Sequence, residues 1–294
     1  MKFSIGGAFE TLIEWLQDNF TPLFDAITVV ISTTTEGLEE LLLFLPDSLM
    51  VLVFAALAWW VASRGVAVFT LIGMGLLAEV EFVLFGLELT VGMGYWETTM
   101  QTLALIVTAS LFSLLVGIPT GIWAAKSETV DKVVRPILDF MQTMPPFVYL
   151  IPAVVLFGLG TVPGVIATFI FATPPCVRLT NLGIRQVSEE AVEAAQSFGS
   201  TPSQMLFKVE LPMALPTIMA GVNQTVMLAL SMVVIAALIG ASGLGQPVVE
   251  GLQQLRIAKG FEGGLGIVIL AIFLDRITQA AGEKAGGAAA GDNA

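Results

Sequence analysis

Few residues in this chain could do covalent or acid–base chemistry, and the absences decide much. There is no histidine among the 294 residues, which excludes imidazole catalysis and histidine metal ligation. The single cysteine, Cys176, leaves no intrachain disulfide and no thiolate cluster. It follows Pro174 and Pro175 in an apolar run and reads as a small packed residue. No G-x-x-x-x-G-K-[ST] pattern occurs, and the glycine-rich GASGLGQ at 240–246 lacks the lysine, so an ATP site within this chain is not expected. What stands out is a spaced pattern in a polar stretch, VEAAQSFGSTPSQMLFKVELP at 192–212. Glu193-Ala194-Ala195 is followed by three residues, Gly199, nine residues, and Val209-Glu210-Leu211-Pro212. From the residues alone two readings stand open, an ordinary structured loop packed on the protein's own underside and a docking element.

The elements that must position this stretch are membrane helices. The composition is 56% hydrophobic and only 12% charged, about half the charge of a soluble domain, and the apolar runs are continuous rather than alternating. Backbone groups in lipid must be satisfied within their own segment, so an all-α polytopic protein is predicted. About seven spans are expected: Ser48 to Ala62, Val66 to near Leu89, Thr98 to Ala125, PFVYLIPAVVLFGLG, VPGVIATFIFATPPCV, Pro216 to Ala241, and Gly263 to Ala281. A Gly/Pro turn near Gly160 to Gly164 separates the fourth and fifth.

Residues 1–40 form a distinct segment. One lysine and no unbroken apolar core argue against a signal peptide. Phe9, Leu12, Ile13, Leu16, Phe20, Leu23, Phe24 and Ile27 recur at helical spacing, with acids on the other face. Two readings are open: a helix on the membrane surface, or one packed on the protein's own spans. The formal charge of −12, with acids crowded before residue 48, disfavours nucleic acid as a partner. The transmembrane body spans 41–281, and the small, polar 282–294 is expected to be disordered.

Lysine and arginine set orientation. With the 126–143 loop inside, nine cations fall inside (Arg64, Lys126, Lys132, Arg135, Arg178, Arg185, Lys208, Arg276, Lys284) and three outside (Lys2, Arg256, Lys259). The N-terminus is then outside, the C-terminus cytoplasmic, and the loop of about 177–215 cytoplasmic. In that loop Ser188 with Glu189 and Glu190 starts a helix, and Gly199 fits its left-handed stop. Thr201, Pro202 and Gln204 spell a second start with a capping box, and Pro212 and Pro216 lead into the next span.

The spacing around Glu193 resembles the EAA loop of bacterial ABC importer permeases, with Val209 in place of isoleucine as the one departure. DFMQTMPPFVYLIPAVVLFGLGTVPGV, the run from SFGSTPSQ to VVIAALIG, and GIVILAIFLDRITQA look like the permease of glycine betaine/proline importers of the ProW type, from about residue 40 to residue 281. The resemblance implies a type I importer core. It implies a homodimer in the bilayer of a bacterial plasma membrane, a separate ATP-binding subunit that holds ATP and Mg, and an extracytoplasmic substrate-binding protein. It assigns Glu193, Ala194, Ala195, Gly199, Val209, Leu211 and Pro212 to the ATPase-coupling loop, and matches Gly243, Leu244 and Gly245 to an outer loop that dips back toward the membrane. The plain-turn reading of that glycine loop stays open, and the betaine-like substrate rests on resemblance alone.

Polar residues within spans are the remaining candidates. Asn223 and Gln224 stand between packing and lining the translocation path, with Met227 one turn on. Met144 and Tyr149 flank a proline break that can shape a gate. Gln101 and Ser231 read as interhelical hydrogen bonders, and Glu79 and Glu81 sit near the outer interface. Those two acids are also what a stand-alone secondary transporter would have to use, the alternative to an ATP-driven permease. A membrane enzyme lacks a nucleophile–base pair.

Overall fold

The computed structural model describes residues 5–84 and 87–291. It is a helical bundle with one β-hairpin. In chain order come α1 (Ile5–Leu43), α2 (Asp47–Val61), α3 (Arg64–Leu77), β1 (Val80–Leu84), β2 (Leu87–Val91), α4 (Trp96–Lys126) and α5 (Glu128–Thr143). Then follow α6 (Pro146–Phe157), α7 (Thr161–Arg185), α8 (Glu189–Ser197), α9 (Pro202–Met205), a π-helical turn (Leu206–Glu210), α10 (Leu211–Ala237), α11 (Gly245–Gln253) and α12 (Ile257–Gly291).

Among the described residues four helices are long and apolar enough to cross a membrane: Trp96–Lys126, Thr161–Arg185, Pro202–Ala237 and Ile257–Lys284. Two further spans are available if each of two bent pairs counts as one, α1 with α2 at 100° and α5 with α6 at 99°. The count departs from seven for local reasons. The second expected span stops at Leu77, and the chain turns into an antiparallel hairpin pairing Val80 with Val91 and Glu81 with Thr90. Its β-branched residues and alternation favour strand over helix, although its apolar content alone extends the span. The fourth expected span is only 12 residues of α6, because Pro145 and Pro146 break it from α5. At the other end α12 runs on through Gly291, past residue 282 where disorder is expected.

Helix α1 divides at Phe20, whose φ of −122° and ψ of 19° leave the helical region. Pro22 lies two residues on, its ring facing the carbonyl of Asp18. Beyond the break α1 packs on the protein. Ile31 shares a buried cluster with Leu105 and Ala109, Thr35 donates to Thr108 at 3.3 Å, Gln101 donates to Glu39 at 3.1 Å, and Phe24 meets Phe157 edge-on at 5.4 Å. These contacts run α1 antiparallel to α4. Before the break Phe9, Leu12 and Trp15 stay exposed. The second half of the segment thus packs on the protein's own spans, and these apolar residues of the first half are left uncovered.

The centre of the bundle is α7 wedged between α4 and α10. Glycines set its distances. A Cβ on Gly121 would lie 2.6 Å from the Thr180 side chain and 2.7 Å from the Val177 carbonyl oxygen. Gly117 is close against Cys176 at 2.9 Å, and Gly183 against Thr217 and Gly221 against Leu179 are looser at 3.0 and 3.1 Å. Without a hydrophobic force between helices in lipid, such close backbone approach is what holds them. A second core joins α2, α3, α4, α10 and α12, with Phe54 tilted against Trp96 and edge-on to Phe273.

Candidate functional site: the coupling loop and its supports

The loop after α7 is locally determined at every joint. Ser188 Oγ accepts the Ala191 N–H at 3.4 Å, and Glu189 and Glu190 occupy the first turn of α8. Gly199 has φ +77°, its N–H donating to Gln196 O at 2.8 Å, while Ser200 N–H donates to Ala195 O at 3.1 Å. That pair of bonds is a complete Schellman stop, and the left-handed φ it requires is why glycine sits there. Thr201 and Gln204 form the expected capping box, at 2.9 Å and 3.4 Å, with Pro202 at the first helical position. The next turn is π-helical, closed by Leu211 N–H on Leu206 O.

These joints hold a short helix with one face, Ala191, Val192 and Ala195, half-buried and the other uncovered among the described residues. α8 has no buried residue, Glu193 and Ala194 are exposed, and Phe198 at its end is 91% exposed. Phe207 is exposed on the adjoining turn. Val209, Leu211 and Pro212 are half-buried at the entry to α10, with Leu211 packed on the cluster of Ile184, Ala214 and Ile218. Phe198 and Phe207 fall between the spaced motif positions, and the signal for them was an aromatic residue in an otherwise polar stretch.

The helices around the loop are tied by charge. Asp131 of α5 is buried, its Oδ2 accepting from Arg135 at 2.6 Å and its Oδ1 from Asn181 at 2.7 Å. Arg185 reaches Glu128 at 2.8 Å and the Ala124 carbonyl at 3.0 Å, and Arg178 pairs with Asp139 at 2.5 Å. Together they strap amphipathic α5 to the end of α7 beside a cavity of about 350 Å³. Lys126, the last residue of α4, pairs with Glu210 at the end of the π-helical turn.

The five path candidates do not converge. Tyr149 is buried with Leu150, Ala153, Ala167 and Met232, Met144 packing at the edge, and its hydroxyl donates to the Met141 carbonyl. Asn223 lies between α10 and α12, donating to Asp275 at 3.1 Å and accepting from the Thr278 hydroxyl. Met227 belongs to the second core, and Gln224 is exposed without a hydrogen bond. Asp275, an acid inside a spanning helix that sequence reading did not single out, also accepts from Gln279 at 2.7 Å. Gln101 does bond between helices, whereas Ser231 bonds its own helix at Met227 O. Glu79 is exposed just past the Leu77 end of α3, and the side chain of Glu81 lies outside the described residues.

The glycine loop is anchored rather than loose. Gly243 has φ +118°, Leu244 is fully buried, and its N–H donates to Thr102 Oγ1 at 2.8 Å. A Cβ on Gly245 would meet the Val233 carbonyl oxygen at 2.4 Å. Nearby, Tyr95 donates to Glu262 at 3.3 Å, and burial first, then that carboxylate, push its phenol up.

The family model for the binding-protein-dependent transport system inner membrane component matches residues 117–283, from α4 through the loop to α12. The chain belongs to that family. The permease is 49% identical over 278 residues to the glycine betaine transport system permease protein OpuAB of Bacillus subtilis, covering 95% of this chain and 94% of that one. It is 50% identical over 271 residues to the glycine betaine/proline betaine transport system permease protein ProW of Escherichia coli, covering 92% and 73%. It is 50% identical over 266 residues to the glycine betaine/carnitine transport permease protein GbuB of Listeria monocytogenes, covering 90% and 91%. In fold it superposes on a solved structure of the MetNI methionine ABC transporter with a TM-score of 0.58, at 21% identity, over 66% of this chain and 95% of that one. This permease is therefore a membrane-spanning subunit of a bacterial inner-membrane ABC transporter. Proteins of its kind have no ATPase site of their own and work with an ATP-binding subunit and a substrate-binding protein.

Proposed function

We propose that this permease forms the path of an ATP-driven importer of quaternary ammonium compatible solutes, glycine betaine and proline betaine foremost. Two copies line the path, a separate subunit binds ATP and Mg, and an extracytoplasmic protein delivers the solute. The observation that carries the coupling role is α8: a helix with both ends capped, no buried residue and an exposed Phe198. Rigid ends with an uncovered face suit a surface that another subunit presses on. In this reading Glu193, Ala194 and Ala195 meet the ATP-binding subunit, Gly199 sets the elbow, and Val209, Leu211 and Pro212 hold the exit into α10. Gly243, Leu244 and Gly245 form the outer loop. Of the path candidates, the exposed Gln224 has its amide uncommitted, which suits it to line the path, whereas Asn223 and Tyr149 spend their polar groups within the chain.

The substrate class follows from the relatives' solutes and is tested directly. Permease co-expressed with its ATP-binding subunit is purified, reconstituted with the binding protein, and assayed for ATP hydrolysis. Stimulation by glycine betaine over choline and methionine supports the reading. Uptake driven by a sodium or proton gradient without the ATP-binding subunit overturns it in favour of a stand-alone carrier.

The proposed orientation puts the coupling loop and the C-terminus in the cytoplasm, where lysine and arginine concentrate. α4 then runs from outside to inside, and α1 beyond Phe20 is antiparallel to it, so the start of α1 is proposed on the cytoplasmic side, in place of the outside N-terminus expected from seven spans. A cysteine at exposed Glu10 tests this. Labelling by an impermeant thiol reagent only after permeabilisation supports it, and labelling in intact cells reverses it.

A further inference from the structure

The coupling loop touches the rest of the molecule through few charged groups, and one of them is buried. Glu210 is 6% exposed at the last position of the π-helical turn. Its Oε2 meets the Lys126 ammonium and no hydrogen-bond donor besides. Lys126 ends α4, the longest of the four continuous spans outside α10 and its loop turns, and its side chain is partly exposed. Below the pair a cavity of about 580 Å³ separates it from α8, lined by Lys126, Val192, Gln196, Ser200, Met205 and Glu210. The cavity stands between α8 and the end of α4, and the turn carrying Glu210 reaches α4 through this ion pair and through Leu206, which shares an apolar cluster with Ile118, Ile122 and Ala125. The π-helical turn adds one residue to the winding between α9 and α10, a distortion that costs hydrogen-bond geometry and recurs at working sites.

We infer that Lys126–Glu210 is a positioning contact through which displacement of the coupling loop is passed to α4. The inference rests on the functional reading above. A carboxylate held away from water by one ammonium cannot lose that partner without penalty, so loop and helix end stay together through a movement. The neighbouring cavity gives α8 room to tilt about that fixed point.

The test uses the complete complex in nanodiscs and proteoliposomes, with basal hydrolysis, solute-stimulated hydrolysis and solute moved per ATP measured side by side. Glu210→Gln, Lys126→Met, Lys126→Arg and the charge-swapped pair Lys126→Glu with Glu210→Lys are compared. The expected result is that Glu210→Gln and Lys126→Met assemble with normal basal hydrolysis but move about tenfold less solute per ATP, a coupling loss in the ordinary range for linked sites. Lys126→Arg and the swapped pair restore most of it. Single variants that transport as the parent does overturn the inference. So does a swapped pair as impaired as the single variants. Failure of Glu210→Gln to assemble, cured by the swap, makes the pair a structural prop and also overturns it. A parent complex that shows no solute-stimulated hydrolysis defeats the functional reading itself, whereas an active parent with indifferent variants defeats only this contact.

Discussion

Thr102 Oγ1 accepts the backbone N–H of Leu244 at 2.8 Å, and this bond ties the glycine loop to α4 at a fully buried position. The hydroxyl also donates to the Thr98 carbonyl at 2.8 Å, so both of its roles are used. Thr102→Val keeps the shape and strands a buried donor, a loss of about 1–3 kcal/mol. The expected outcome is a lower unfolding temperature in detergent and faster proteolysis around 240–246. Thr102→Ser should behave as the parent does, and equal stability of the valine variant would show the bond to be dispensable.

Gly199 is surrounded by open space, with nothing within 4 Å of a built Cβ. Any effect of substitution there is conformational. Gly199→Val forces a β-branched residue to φ +77°, at a cost of about 1–2 kcal/mol. The variant should insert normally and retain less ATP-binding subunit in a pull-down, while Gly199→Asn, which tolerates the left-handed region, should retain nearly as much as the parent. Equal retention by valine would refute the role given to the elbow.

Gly121 presents the opposite case, since a Cβ there strikes the Val177 backbone oxygen. Gly121→Val should abolish folded protein, read as monodispersity after solubilisation. Gly75→Ala, in α3 with nothing within 4 Å, should be neutral or stabilising by up to about 1 kcal/mol. A monodisperse Gly121→Val protein would mean that α4 and α7 can separate.

Asp131 serves three partners from a buried position, so Asp131→Ala should release α5 from α7. Trypsin cleavage after Lys132 should accelerate. Asp139→Asn removes only an exposed pair with Arg178 and should shift stability by less than about 1 kcal/mol. Unchanged cleavage in Asp131→Ala would assign the strap to apolar packing instead.

Legibility of the molecule tracked the range of its interactions. Ser188, Gly199, Thr201, Pro202 and Gln204 act on backbone groups within a few positions, and each reads correctly from the residues alone. Cavities and long-range pairs do not. Lys126–Glu210 and Asn223–Asp275 join segments whose juxtaposition depends on the bundle, and only an acid inside an apolar span hinted at the second. The hairpin at 80–91 was hidden because apolar content was weighed above alternation. Gly243-Leu244-Gly245 was visible as a motif, but its anchor on Thr102 was not.

The glycine contacts on α7 bear on how such a molecule can change shape at all. Gly117 and Gly121 from α4, and Gly183 and Gly221 across to α10, interlock three helices as splines lock a shaft. Sliding any one of them by a residue would swing a side chain into a gap that only hydrogen now fills. Shear between α4 and α7 is thereby opposed, most strongly at Gly121, so these two helices turn as one piece, while the looser glycine contacts to α10 leave that helix more freedom. Opening and closing belong to the seams around that piece, where charged straps join it to α5 and to the coupling loop.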